Sequence, residues 1–250
     1  LSHKDIDITN KEAVAQKLSS IEFDLLLHLA AYTNVDGAEK DRSQTHLINV
    51  EGTSNIFHAL EHTDKKIIYI STDFVFDGEH PPFDEETEPN PLGYYAQTKY
   101  DGEVVLQDTA MIVRISNPYG NVTSAKPDLI MRLKQLLENG TELKMSSDST
   151  ITPTYIDDIA YALKHLVNNF SNEIFHIVGP KWYSPYEVGK LVAKTFELDE
   201  NLIKETTFAE YNKGKAERPK HSEIISKKNT FQKMHDLEFG LAEIKKRVSK

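Results

Sequence analysis

Residues 67–99 read "IIYISTDFVFDGEHPPFDEETEPNPLGYYAQTK". Four apolar residues, Ile67 to Ile70, end in the hydroxyls of Ser71 and Thr72. One loop later, two tyrosines and a lysine follow at helical spacing. An almost wholly apolar short run is what a strand buried on both faces requires. The pattern repeats on either side of it. Phe23–Leu29 reads as a strand and Val35–His62 as a helix; Tyr95–Gln107 as a helix and Met111–Ile115 as a strand. Ile156–Asn168, Ile174–Val178 and Ser184–Phe196 continue as helix, strand and helix, with Ser184 as N-cap and Pro185 at the first helical position. This alternation predicts an α/β fold, a doubly wound and mostly parallel sheet with helices on both faces. Beyond Phe196 the pattern is irregular and more charged, so a smaller C-terminal lobe is expected from residues 117–154 and 180–250. Ligands in such sheets bind outside the carboxyl ends of the strands. Three strand ends matter here: "LAAYTNVD", "STDFVFDG" and "ISNPYG".

Composition narrows the function. The 39 acidic residues outnumber 29 scattered basic ones, so the electrostatic footprint of a nucleic-acid-binding surface is absent. No apolar run approaches the roughly 20 residues of a membrane span, and no signal peptide is recognisable at the N-terminus. Thiolate chemistry and disulfides are excluded because the chain has no cysteine, which suits a reducing, cytoplasmic setting.

Tyr95 and Lys99 stand four apart, so both project from one helix face. A nearby ammonium favours a phenolate, which suits Tyr95 to a proton-donor role toward a carbonyl oxygen that Ser71 or Thr72 polarises. The competing reading is an ordinary exposed pair. Tyr94 rivals Tyr95, but only Tyr95 has a lysine at the fourth position.

The segments "STDFVFDG", "YYAQTK", "AAYTNVD", "INVEGTSNI", "RISNPYG" and "ERPKHSEI" occur in the order, and at about the separations, of the extended short-chain dehydrogenase/reductases. Within that superfamily the chain most resembles the dTDP-4-dehydrorhamnose reductases. The resemblance implies a Rossmann-like, NAD(P)-binding domain from residues 1–116 and 155–179, with residues 117–154 and 180–250 as the substrate lobe. It implies reduction of the 4-keto group of a nucleotide-linked 6-deoxy sugar with NADPH or NADH. Thr72, Tyr95 and Lys99 become the catalytic triad. Asp7, Ile8, Ala30, Ala31, Tyr32, Asn49, Ser71, Ser116 and Asn117 become cofactor contacts, with Tyr95 and Lys99. Thr72, Asp73, Phe74, Asn117 and Arg218 become substrate contacts, Arg218 by its capacity to fork onto a diphosphate. Small residues after a buried strand also serve close packing, and Arg218 also reads as a surface arginine. The same superfamily holds non-catalytic regulatory subunits, such as the beta subunit of methionine adenosyltransferase, and epimerases or reductases of other nucleotide sugars. Both remain alternatives.

Two features depart from the family pattern. Asn117 stands in "SNPYG" where an aromatic residue is usual, and the 11 glycines form no phosphate-binding cluster after a strand. The matching elements begin near the third strand of the expected order, so an upstream strand, glycine loop, helix and strand are expected in a longer protein. The acidic or basic selector between NADP and NAD belongs to that region.

Other candidates have plainer readings. His58 and His62, four apart, have no third ligand nearby and read as a solvated face, so no metal site is expected. Glu85, Glu86 and Glu88 read as a solvated loop. Asp157 and Asp158 read as helix-capping residues. No heptad pattern specifies an oligomer, and a homodimer is left open.

Overall fold

The computed structural model describes residues 1–120 and 127–248. Its strands are β1 (Leu25–His28), β2 (Lys66–Thr72), β3 (Met111–Ile115), β4 (Pro118–Tyr119), β5 (Leu143–Ser146), β6 (Thr154–Tyr155), β7 (Ile174–His176) and β8 (Ile203–Thr206). A central parallel sheet has the order β1-β2-β3-β7, while β4 pairs with β6 and β5 with β8. Leu26 lies opposite Ile67, Ile68 opposite Met111, and Val113 opposite Phe175.

Side-chain alternation along these strands sends neighbours to opposite faces. Ile67, Tyr69 and Ile112 pack with Val14 and Leu18 of α1 (Lys11–Ser19). The segments α2 (Val35–Lys40), α3 (Arg42–His46) and α4 (Gly52–Leu60) follow β1, and Ile56 and Leu60 of α4 join the same face. So does Leu106, which ends α5 (Tyr94–Val105). On the other face Ile68, Met111 and Val113 meet Ile159, Ala162 and Leu166 of α7 (Ile156–Asn168), which follows α6 (Leu129–Glu138). Burying each large aliphatic group contributes about 1.5–3 kcal/mol relative to exposure. The doubly wound arrangement follows from this two-sided patterning.

A separate core unites Ile130 and Leu133 of α6, Met145 of β5, Val188 and Val192 of α8 (Pro185–Thr195), Ile203 of β8, and Leu241 and Ile244 of α10 (Leu237–Val248); a short α9 (Phe208–Tyr211) precedes α10. Ser184 caps α8 in a capping box with Glu187, Pro185 taking the first position. Parts of the expected second lobe return to the sheet: Ile224 packs with Val75 and Phe76, and Phe231 and Met234 pack over Phe175. Residues 121–126 and 249–250 of that lobe lie outside the described residues.

Three expectations are corrected. The helix predicted over Val35–His62 is broken at Asp41, whose side chain accepts the Gln44 N–H at 3.1 Å, and it passes through a π-helical turn at Leu47–Glu51. An Asp that bonds the following backbone competes with helix continuation. Asp157 and Asp158 do stand in the first turn of α7, where acidic charge is favourable, but neither caps it, since α7 has no side-chain cap: Asp157 pairs with Arg247, and Asp158 accepts the His235 N–H at 2.7 Å. Glu85 is not solvated; it accepts the N–H groups of His176 and Lys227 at 3.0 and 2.9 Å, and the Ser226 hydroxyl also donates to it. His58 and His62 both face Glu61 on the surface.

The outer edge of β1 pairs with no strand among the described residues, and a groove of about 850 Å³ follows it from Phe23 to Ala31. None of the described helices is long and apolar enough to cross a membrane.

Candidate active site

Strand β2 ends at Thr72 and runs straight into a 3₁₀ turn over Asp73–Val75, with the Thr72 hydroxyl accepting the Phe74 N–H at 3.3 Å. The turn sends Asp73 inward. Its carboxylate receives Thr72 Oγ1 at 3.1 Å and Ser116 Oγ at 2.8 Å, from the end of β3. Burial pushes the Asp73 carboxyl up, and the hydroxyl donors offset this only in part. Asp73, expected as a substrate contact, is buried and braces the end of β2 against the end of β3.

Helix α5 delivers Tyr95 to the same strand end. Its ring meets Phe74 edge-on at 6.1 Å between centroids. Burial, then the Asp73 carboxylate, push the Tyr95 phenol up to about 12, with the facing Thr72 hydroxyl opposing. This corrects the expectation that Lys99 lowers it. The Lys99 ammonium is drawn away: Nζ donates to the Tyr69 phenol at 2.7 Å and to the Ile70 carbonyl at 2.8 Å. Burial brings that ammonium down to about 7, against the attraction of Glu103. Tyr94 points elsewhere, its N–H donating to Glu39 at 2.6 Å and its ring lying under the Arg42 guanidinium.

The other expected cofactor contacts divide into two sets. Asp7, Ile8, Ala30 and Ala31 line the groove beside β1. Ser71 is buried near its sheet end, and its hydroxyl has no hydrogen-bond partner. Asn49 and Ser116 are instead spent inside the protein, and the half-buried Tyr32 is tied to Asn49 through its main chain. Asn49 Oδ1 accepts the Tyr32 N–H at 2.7 Å and Nδ2 donates to Thr98 at 3.0 Å, tying the turn after β1 to α5. Asn117 adopts a left-handed φ of 41° and donates to Ser116 at 3.2 Å. Arg218, expected at the diphosphate, pairs through its guanidinium with Asp36 on α2 and donates from Nε to the Ala216 carbonyl. Gly93, which precedes Tyr94, lets this segment close in, since a Cβ there would meet the Glu217 carbonyl at 2.5 Å.

Sequence reasoning missed Tyr69, Thr53 and His28, which stand behind Lys99, and the bracing role of Glu85. A glycine inside α5, Gly102, three residues after Lys99, was the available signal that something approaches that helix closely.

Comparison with known proteins identifies the family. The family described as RmlD substrate binding domain matches residues 1–248. The dTDP-4-dehydrorhamnose reductase of Aggregatibacter actinomycetemcomitans is 29% identical over 226 residues, covering 84% of this chain and 76% of that protein. The methionine adenosyltransferase 2 subunit beta of Rattus norvegicus is 26% identical over 230 residues, covering 88% of this chain and 68% of that one. The crystal structure of dTDP-4-dehydrorhamnose reductase from Bacillus anthracis in complex with NADP superposes with a TM-score of 0.90 at 30% identity, over 99% of this chain and 89% of that one. With a family match over nearly its whole length and the same Rossmann-like fold, the chain belongs to the RmlD substrate binding domain family.

Proposed function

We propose that the protein reduces the 4-keto group of a nucleotide-linked 6-deoxy sugar with NADPH or NADH. The observation that carries this reading is the meeting of Thr72, Tyr95 and Asp73 at one strand end, beside a buried Ser71 hydroxyl without a partner. An orphaned buried hydroxyl costs about 1–3 kcal/mol, so a ligand group that bonds it is favoured there. The residues fit a nicotinamide cofactor: Asp7, Ile8, Ala30 and Ala31 would wall its adenosine side, and Ser71, Lys99 and Asn117 its nicotinamide side. When bound, the cofactor supplies the hydride.

The chain supplies the proton and the geometry. A phenol near 12 stays protonated at neutral pH, so Tyr95 enters the reaction as an acid. It gives its proton to the oxygen that gains charge as the carbonyl is reduced, and Thr72 steadies that oxygen. Asp73 holds Thr72 and Ser116 in register. The two-lobe division at residues 116–117, 154–155 and 179–180 belongs to the same proposal, the second lobe bearing the nucleotide sugar. A reduced-cofactor enzyme without cysteine suits the cytoplasm.

A second reading is a non-catalytic subunit, as the methionine adenosyltransferase relative suggests. The observation favouring it is that Lys99 is spent on Tyr69 and Ile70 rather than turned toward Tyr95. Consumption of reduced cofactor on addition of dTDP-4-keto-6-deoxy sugar separates the two. The reductase reading expects turnover that Tyr95→Phe lowers by about 10²–10⁴-fold. No turnover from folded protein that still binds cofactor points to a different keto sugar. Loss of both binding and turnover points to the subunit.

A further inference from the structure

Lys99 is a deeply buried cation beside the site, and its partners were not chosen by the helix that carries it. Nζ lies 2.7 Å from the Tyr69 phenol and 3.9 Å from the centre of that ring, with the Ile70 carbonyl completing the cradle. Tyr69 is itself fully buried on the central strand. The Thr53 hydroxyl faces the Tyr69 phenol and donates to the Asn49 carbonyl at 2.7 Å. With its own proton so used, Thr53 Oγ1 accepts from His28 Nε2 at 3.0 Å. His28 lies opposite Tyr69 in the β1–β2 register, and it lines the groove beside β1.

Space for this cluster is built into α5. A Cβ at Gly102 would lie 2.5 Å from the Tyr69 hydroxyl and 3.0 Å from the Asn49 carbonyl. A mid-helix glycine costs roughly 0.5–1 kcal/mol relative to alanine. Here it admits the phenol that meets Lys99.

We propose that Tyr69 is a positioning residue for Lys99, its phenol holding the lysine amine in a buried polar cluster, with the Thr53–His28 pair behind the phenol, and governing whether that amine carries its proton. Hydrogen bonding to the charged form favours it, so the phenol offsets the burial that otherwise strips the ammonium. The other groups acting on the pair are few. Glu103, one turn on in α5 and itself bound by Arg114, draws the proton toward Lys99. His28 stays neutral, pushed down to about 3 by burial and then by Lys99. Burial first, then Glu103, Tyr95 and Asp101, resist ionisation of Tyr69, which therefore remains a phenol. The consequence for turnover rests on the reductase reading; the positioning of Lys99 does not.

The test reads Lys99 directly. Protein labelled with ¹³C at lysine Cε is titrated by NMR without cofactor, and Lys99→Met assigns the resonance. One lysine is expected to titrate near neutrality, far below the others. In Tyr69→Phe, which keeps the ring, its midpoint should fall by about one pH unit, a tenfold loss of proton affinity. Gly102→Ala, which pushes the phenol aside without removing it, should move the midpoint the same way and serves if Tyr69→Phe does not fold. An unmoved midpoint in either folded variant overturns the proposal, even where the melting temperature has dropped. A shifted midpoint in a protein that never consumes reduced cofactor keeps the positioning of Lys99 and removes the reductase reading.

Discussion

The Ser116 hydroxyl donates to the Asp73 carboxylate at 2.8 Å, wholly inside the protein, joining the end of β3 to the turn that follows β2. Asp73 thereby couples stability to chemistry. Its folded pKa is raised, so its contribution to stability is present below the unfolded value and is lost as pH rises through the folded value. At neutral pH Asp73→Asn should therefore unfold at the same or a higher urea concentration than the native protein. Ser116→Ala, which cuts the same bond, should cost about 1 kcal/mol. A marked loss of stability in Asp73→Asn would contradict the raised carboxyl.

Thr72 and Tyr94 give a contrasting pair for the chemistry. Thr72→Val should lower kcat by about 10²–10³-fold, the usual cost of losing one donor to a charged oxygen. Tyr94→Phe, whose ring stacks under Arg42 away from Tyr95, should leave kcat within a few-fold of the native value. Equal losses in both would point to Tyr94 as the acid.

Two buried histidines predict sensitivity to acid. Burial pushes His28 down to about 3 and His176 to about 4, the latter against the pull of Glu85. Both folded values lie below the unfolded one, so their contribution is complete above about pH 6.5 and is lost as pH falls toward the folded values. Urea midpoints measured between pH 7 and pH 4.5 should fall, each histidine adding up to about 1.4 kcal/mol per pH unit. His28→Gln should flatten that slope.

Glu85 should be worth more than its place in an acidic loop suggests. Burial alone would raise its carboxyl, but hydrogen bonds from Ser226, Lys227 and His176 hold it below the usual glutamate value. Glu85→Ala leaves those donors without their acceptor, and a loss of about 3 kcal/mol in denaturant unfolding is expected. Glu88→Ala serves as the control and should change stability by less than about 0.5 kcal/mol.

The Arg218–Asp36 pair spans the helix after β1 and the segment that closes over Gly93. Both side chains are partly exposed, so a double-mutant cycle with Arg218→Ala and Asp36→Asn should give a coupling of only about 0.2–1 kcal/mol. Zero coupling, together with a large rise in KM for Arg218→Ala alone, would return Arg218 to the substrate.

The strand and helix elements were legible in the sequence because burial on both faces imposes its own pattern. Met111–Ile115 and Ile156–Asn168 stand where periodicity placed them, and Ser184 with Pro185 marked the start of α8 by local capping chemistry. Asp41 was not legible as a break. Its side chain can cap a new helix or sit within one, and only the packing of α3 against α5 chooses. The candidate site divided in the same way. Thr72 and Tyr95 could be brought together on paper because each lies beside a strand end or a helix start. Arg218 could not be placed, since its partner Asp36 is remote in sequence.

By itself, then, the sequence determined the alternation of elements, the parallel sheet and the strand end at which Thr72 and Tyr95 meet, because these depend on local periodicity and on where strands must stop. Tertiary structure alone decided which groups each charged side chain would answer. Helical spacing places Lys99 on the face with Tyr95, yet its ammonium is satisfied by Tyr69 and Ile70, and Glu85 leaves its loop for His176 and Lys227. A buried charge takes whatever donors or acceptors surround it in space, and those come from segments that the order of residues does not bring together.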